Sequence, residues 1–379
     1  MINLGIPINT GEWPPVIEQD KLYEHLAICG GTGKGKTTFC MNLLNQLPSS
    51  GLIVIDPHGD LADKIYSMYP HAKYISKNKP ICLNPLNQKL NSSEITNDLI
   101  EVVNNATSIT SKGQSGITVL MGRLLRKAIK LGFRDLQQLS DFLDYESHRK
   151  KHPRLDSFWE EFDKRTKGGK GAYINREARE SAKRITARFS MLLDDENLRP
   201  FIIGKNEFSV KDIAEKKKIY IFNLHGFDNF LASFIGSMVS INARSYYMRS
   251  KPNTTPPLFV LIDEINFFMS NNYERFLSEA RKYNVGLILS FHTFKQLAPR
   301  FAEMIWANCD TQAFLGGNWL DGKTFCEAYN YKMPELKKYQ GILGIENYAV
   351  HVQLLPPPEV KDISPPDSFN FLKDSWIEC

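Results

Sequence analysis

Cysteine is scarce in this chain. Cys29, Cys40, Cys82, Cys309, Cys326 and Cys379 are scattered through 379 residues and form no CxxC pair. That spacing excludes a disulfide-dense secreted scaffold and a thiolate zinc cluster, and it predicts free thiols in a reducing compartment. His148 and His152 stand four apart, but Arg149, Lys150 and Lys151 lie between them. A solvated basic turn is the better reading there than a metal site. Long apolar runs are missing too. The longest, Phe230 to Ile241, is broken by Ser233, Gly236, Ser237 and Ser240, and it falls short of the ~20 residues a membrane span needs. Met1 to Gly5 carries no basic region leading into an apolar stretch, so no signal peptide is expected. These absences predict a cytoplasmic protein without direct membrane insertion. A strong charge imbalance is also lacking: the net charge is +5, which permits a polyanionic partner without requiring one. Hydrophobic residues at 42% and charged ones at 23% are ordinary for a globular chain able to bury a large core.

What is present is a series of short apolar runs, each ending in chemically active residues. Leu26 to Cys29 ends at a glycine-rich loop, Leu52 to Ile55 at Asp56-Pro57-His58-Gly59-Asp60, and Ile219 to Phe222 at Asn223. Leu258 to Ile262 ends at Asp263-Glu264, and Val285 to Leu289 at Ser290-Phe291-His292-Thr293. Runs without polar alternation suit strands buried on both faces of a parallel sheet. Open α/β sheets place ligands at the carboxyl ends of such strands. From Asn91 to Asp212 the pattern becomes helical, with Val119, Leu120, Leu124, Leu125 and Ile129 at helical spacing. The fold expected is α/β, with a mainly parallel sheet core over 1–90 and 213–355. Residues 91–212 are expected to form an inserted all-helical subdomain, and 356–379 an extended proline-rich tail.

The glycine-rich loop reads Gly30-Gly31-Thr32-Gly33-Lys34-Gly35-Lys36-Thr37, matching GxxxxGK[ST] between a strand and a helix. Glycines let backbone N–H groups turn inward around phosphates. Gly30 through Thr38 are therefore the candidate nucleotide-binding residues, with Lys36 neutralising phosphate charge and Thr37 offering its hydroxyl to Mg²⁺. The helix that follows favours anions at its N-terminus. The second half of an NTPase site is the strand ending in Asp263 and Glu264: Asp263 for magnesium, Glu264 to polarise the attacking water. No NKxD guanine reader and no LSGGQ signature accompanies them, which points to an ATPase outside the small GTPases and ABC transporters. In Ser278-Glu279-Ala280-Arg281-Lys282-Tyr283, Arg281 is either a solvated helix end, favoured by the macrodipole, or an arginine finger supplied to a neighbour.

With these segments the chain resembles the HerA–FtsK group of DNA-pumping ATPases, and within it the branch of type IV secretion and conjugation coupling proteins. The phosphate loop is generic. More specific are Val54-Ile55-Asp56-Pro57-His58-Gly59-Asp60, Leu83-Asn84-Pro85-Leu86, Phe158-Trp159-Glu160-Glu161-Phe162 and Ile221-Phe222-Asn223-Leu224. The likeness runs from about Asn3 to Pro358. It implies a RecA-like P-loop core, ATP and Mg²⁺ as ligands, a homohexameric ring with sites between subunits, and double-stranded DNA in a central pore. It also favours Arg281 as a finger acting in trans, and matches Asp56 to a family acid near the nucleotide. The chain departs from the family at Lys34, where a small residue is usual. At His292, in the place of a polar sensor often filled by Gln, a histidine can bond a γ-phosphate or a water. With 29 residues before Gly30, the N-terminal domains of these relatives are not expected here.

For DNA, Arg176, Arg179 and Lys183 form one helical stripe, with Arg184 and Arg188 alongside; such a stripe can track phosphates, or be a solvated face interspersed with Glu177 and Glu180. A loop with Lys167 and Lys170 is an equal candidate for a pore element. The resulting expectation is a DNA translocase working with a portal, secretion-channel or nuclease partner. The alternative is a secretion or pilus assembly ATPase that does not move DNA.

Overall fold

A computed structural model of the chain describes residues 1–12, 14–86, 91–110, 117–144, 158–159, 162, 171–252, 254–268, 271–360 and 363–366. His148, His152, Lys167, Lys170 and the end of the tail lie outside the described residues. The strands are β1 (Ile2–Asn3), β2 (Ile6–Pro7), β3 (Val16–Ile17), β4 (Leu26–Cys29), β5 (Gly51–Asp56), β6 (Lys73–Ile75), β7 (Ile219–Asn223), β8 (Leu258–Ile262), β9 (Val285–Phe291), β10 (Thr311–Phe314), β11 (Gln340–Ile345) and β12 (Tyr348–Gln353). The helices are α1 (Lys36–Asn45), α2 (Asp60–Met68), α3 (Ser92–Thr110), α4 (Val119–Ile129), α5 (Leu136–Leu143), α6 (Gly171–Leu193), α7 (Arg199–Ile202), α8 (Val210–Glu215), α9 (Asn229–Met248), α10 (Asn271–Glu279), α11 (Pro299–Asn308) and α12 (Trp319–Ala328). The chain divides into two compact units, Met1–Lys79 with Val210–Gly226 and Asn242–Cys379, and Pro80–Ser209 with Phe227–Ile241.

The first unit is built on a sheet ordered β2-β12-β11-β10-β4-β9-β8-β5-β7-β6. From β10 through β6 every pairing is parallel, while β10–β11, β11–β12 and β12–β2 are antiparallel. The central strands β4, β5, β8 and β9 are buried along their whole length, as their unbroken apolar sequences require. Register decides function here. Cys29 pairs with Phe291 and with Phe314, Ile262 with Leu289, and Ile55 with Ile262. The carboxyl ends of five parallel strands therefore finish near one level, and the residues after them share one edge.

The second unit contains no strand among the described residues. Helices α3, α4, α5 and α6 bury Leu99, Val102, Leu124, Leu125, Leu139, Phe142, Ile185 and Phe189. The Phe-Trp segment belongs to that core. Phe158 packs edge-on to Phe142 at 4.9 Å and to Trp159 at 5.1 Å, and all three are buried. Asn84 explains the Leu-Asn-Pro-Leu segment. Its buried side-chain amide donates to the carbonyls of Arg134 at 2.9 Å and Gly204 at 2.7 Å, while its oxygen accepts from Leu86 N at 3.0 Å. On α6, Arg176, Lys183 and Arg184 are exposed and Arg179 and Arg188 half-buried; Arg176 pairs with Glu180 at 3.0 Å. No described helix is long and apolar enough to cross a membrane.

Candidate nucleotide site

The phosphate loop follows β4 directly and hands over to α1. Gly33 and Gly35 hold φ of 71° and 102°, conformations that a side chain would strain, which is why glycine recurs at these positions. Gly35 is the N-cap of α1 and offers no side-chain oxygen to the first turn. The amides of Lys36, Thr37 and Thr38 thus remain at the open, positive end of the helix, an arrangement that suits an anion. One flank of the loop is fixed by Gly30 N donating to Phe291 O at 3.1 Å and Gly31 N to Gly316 O at 2.9 Å. Gly317 approaches so closely that its own Cβ would stand 2.9 Å from Gly31 N. Sequence reading missed this Gly316–Gly317 turn, although a glycine pair after a buried strand is a signal of close backbone approach. Lys34 sits exposed at the loop tip with its stem lying against the Gly316 turn.

Lys36, His292 and Glu264 come together although they lie far apart in sequence. Lys36 Nζ donates to Gly30 O at 2.8 Å and stands 2.7 Å from His292 Nδ1 and 3.6 Å from Glu264 Oε1. His292 Nε2 stands 2.8 Å from the same Glu264 oxygen. An ammonium can only donate, so Nδ1 is the acceptor and the ring proton sits on Nε2, directed at Glu264. The result is a chain from carboxylate through imidazole to ammonium. Glu264 itself has φ 49° and ψ 59°, a left-handed conformation costing a non-glycine residue roughly 1 kcal/mol. Strain of this kind gathers at functional sites. The other Glu264 oxygen, Oε2, is buried without a hydrogen-bond partner among the described residues, so the carboxylate keeps an acceptor for a water or substrate.

Asp263, the preceding residue, accepts a hydrogen bond from Ser290 Oγ on β9. Burial pushes its carboxyl up from the ordinary value, opposed by the Ser290 bond and the Lys36 charge and reinforced by Glu264. A carboxylate in that setting gains from a cation beside it. Ser290 was not singled out from the sequence; only the register of β8 beside β9 reveals it. Thr37 and Thr38 occupy the first turn of α1.

Asp56 has a different task. Fully buried, it accepts from His58 N at 2.8 Å on one oxygen and from Leu61 N and Ala62 N at 2.9 Å on the other. It therefore ties down the Pro57–Gly59 turn and caps α2 from outside. Arg281 is not brought to this site. It lies in the 3₁₀ turn Ala280–Tyr283 that precedes β9, whereas His292 follows that strand. Seven extended residues at about 3.3 Å each separate the two by roughly 20 Å. Arg281 instead pairs with Glu24 and is 63% exposed, against 9% for Glu24.

The loop, the acidic strand end and the parallel sheet are those of a P-loop ATPase. Residues 2–242 match the family model described as the central domain of helicase HerA. The chain belongs to the HerA central-domain family. Residues 257–325 match a second model, described as the TraM recognition site of TraD and TraG. No curated protein matches the chain. Among solved structures, the bacterial conjugative coupling protein TrwBdeltaN70 superposes with a TM-score of 0.66 at 15% identity, covering 95% of this chain and 90% of that one. TrwB in complex with ADP and Mg²⁺ gives 0.64 at 17% identity, covering 93% and 89%. VirB4 of Thermoanaerobacter pseudethanolicus gives 0.62 at 15%, covering 94% and 96%. At such identities the likeness establishes the shared RecA-like fold.

Proposed function

We propose that this chain is an ATP-hydrolysing motor that works as a homohexamer and moves double-stranded DNA through a central pore. The observation that carries the reading is the Glu264–His292–Lys36 chain beside the phosphate loop. It links a carboxylate with a free acceptor to a phosphate-neutralising cation through a sensor that stands 2.8 Å from the first and 2.7 Å from the second. ATP is the substrate that Gly30 through Thr38 would cradle, and TrwB has been seen with ADP and Mg²⁺ in the same fold. The residues fit a magnesium ion: Asp263 and the Thr37 hydroxyl suffice where phosphates supply further oxygens. When bound, that ion neutralises charge developing on the phosphates.

The chain's own residues do the rest. Lys36 exchanges its bond to the Gly30 carbonyl for phosphate oxygens. Glu264 orients an attacking water through Oε2, and His292 holds the other Glu264 oxygen while facing Lys36. Arg281 cannot reach its own site, so it acts on that of the next subunit, where Glu24 would aim it. The cations of α6 are the proposed DNA-facing stripe, within the helical segment 91–212.

The decisive measurement is ATP turnover with and without duplex DNA, using Lys36→Ala as the blank. Turnover abolished in Lys36→Ala, and stimulated several-fold by DNA with a steep fall at higher salt, is the expected result. Turnover indifferent to every nucleic acid sinks the DNA motor and leaves the alternative, a secretion or pilus assembly ATPase that does not move DNA.

A further inference from the structure

The catalytic groups are all on one side of the phosphate loop. Glu264 follows β8 and His292 follows β9, and these strands lie to one side of β4; to the other lie β10, β11 and β12. A nucleotide with its terminal phosphate toward Glu264 therefore runs its base toward the β10–β12 side. Two exposed aromatic side chains lie there, Trp319 at 66% and Tyr339 at 43%, and Tyr339 is the one that comes up against Gly35. Tyr339, immediately before β11, holds φ 61°. Its ring edge lies 3.5 Å from where a Cβ would stand on Gly35, and Leu354 Cδ1 lies 2.9 Å from the same point. The aromatic ring thus lies over Gly35, where any side chain would come into van der Waals contact with it.

That placement is held by the backbone at a cost. A left-handed tyrosine is strained, and two donors fix its carbonyl, Leu354 N and Gln353 Nε2, both at 2.9 Å. The chain after β12 is fastened to α1 as well. Asn42 Nδ2 donates to Leu355 O at 3.1 Å, to Pro356 O at 2.9 Å and to Thr38 O at 3.1 Å. Two segments from beyond the sheet's parallel part are therefore anchored beside the loop and the helix that follows it, and Tyr339 remains part-exposed between them. Lys338 Nζ stands over the ring, 5.0 Å from its centroid, so one ring face already attracts a cation.

Resting on the nucleotide reading above, we propose that Tyr339, backed by Leu354, is the seat of the nucleotide's base. Stacking on a π-face does not read base identity, so this seat accepts adenine and guanine alike and acts on affinity, not on turnover. Tyr339 is a binding residue for the base; the phosphates are left to the loop.

The test compares ADP with inorganic tripolyphosphate by titration calorimetry on the full chain, in wild type, Tyr339→Ala, Tyr339→Gly, Tyr339→Phe and Lys36→Ala. Tyr339→Gly suits the positive φ and guards against misfolding. Loss of roughly tenfold in ADP affinity in Tyr339→Ala and Tyr339→Gly, with tripolyphosphate unchanged and Tyr339→Phe unaffected, is the expected pattern. ADP affinity unchanged in both truncations while Lys36→Ala weakens both ligands overturns the base seat and leaves the nucleotide site standing. Equal losses of ADP and tripolyphosphate on truncation overturn it too, since Tyr339 would then only shape the loop. Lys36→Ala without effect on either ligand removes the nucleotide site itself, and the base seat with it.

Discussion

At the scale of single residues, the chain places ionisable groups where burial fixes their state. His25 follows the 3₁₀ turn Asp20–Glu24 with φ 65° and is fully buried. Its Nδ1 lies 3.2 Å from Leu287 N and its Nε2 2.9 Å from Leu277 O, so it is the tautomer protonated on Nε2. Burial first, and then the Arg281 charge, bring its pKa down to about 4 from 6.5. The unfolded chain therefore binds the extra proton more readily, and the stability present above pH 6.5 is lost as pH falls toward 4. Between pH 7.5 and 5 the loss from this residue should be about 2 kcal/mol. Urea unfolding at the two pH values should show a correspondingly shallower dependence in His25→Asn, since asparagine tolerates the backbone and does not titrate. Parallel pH dependences in the two proteins would contradict the assignment. Nearby Asp310 works in the opposite direction. Burial, and then its hydrogen bond to Glu24, push it up to about 6, but it is common to both proteins and cancels in the comparison.

At the scale of elements, strand ends and helix starts are joined by side chains that the family-like motifs contain. Asp56 is the clearest case. A carboxylate serves the three N–H groups of His58, Leu61 and Ala62, whereas an amide presents one oxygen and two hydrogens. Asp56→Asn should therefore cost about 2 kcal/mol of stability by leaving a buried donor unmet, with ADP affinity little changed. Thermal and urea unfolding, with ADP titration on the same protein, check both parts. A loss of ADP binding without loss of stability would make Asp56 a nucleotide residue after all. The Asp-Pro-His-Gly-Asp segment stood out in the sequence as specific, but its letters do not say whether the acid faces a ligand or a helix end. Only the hydrogen bonds decide that.

At the scale of the whole molecule, the proposed ring rests on Arg281. Its turn lies at the amino end of β9, held by Glu24, while the phosphate loop lies at the carboxyl edge of the same sheet. Within one chain the two are separated by roughly 20 Å, so a role in hydrolysis requires a neighbour. Arg281→Ala and Lys36→Ala should each be nearly inactive alone. Mixed subunits should recover part of the turnover, because some interfaces then pair an intact finger with an intact loop. Full turnover in Arg281→Ala alone, with no recovery on mixing, would show that Arg281 and Glu24 form only a surface ion pair, worth about 1 kcal/mol or less.

The sequence alone determined the phosphate loop, the buried parallel strands and the acidic pair after β8. These are local: glycine spacing, apolar run length and residue type dictate them before any tertiary contact forms. It also marked Arg281, with two readings, and through the resemblance placed His292 where a sensor stands. The tertiary structure decided what depends on register and crossing of distant strands. It set His292 between Lys36 and Glu264, Ser290 against Asp263, the Gly316 turn beside Gly31 and Tyr339 on Gly35. It also turned Asp56 to its helix and sent Arg281 to the far edge. The physical reason is that a hydrogen bond needs atoms about 3 Å apart. In a ten-stranded sheet, that proximity is fixed by which strand ends share an edge, which no local pattern records.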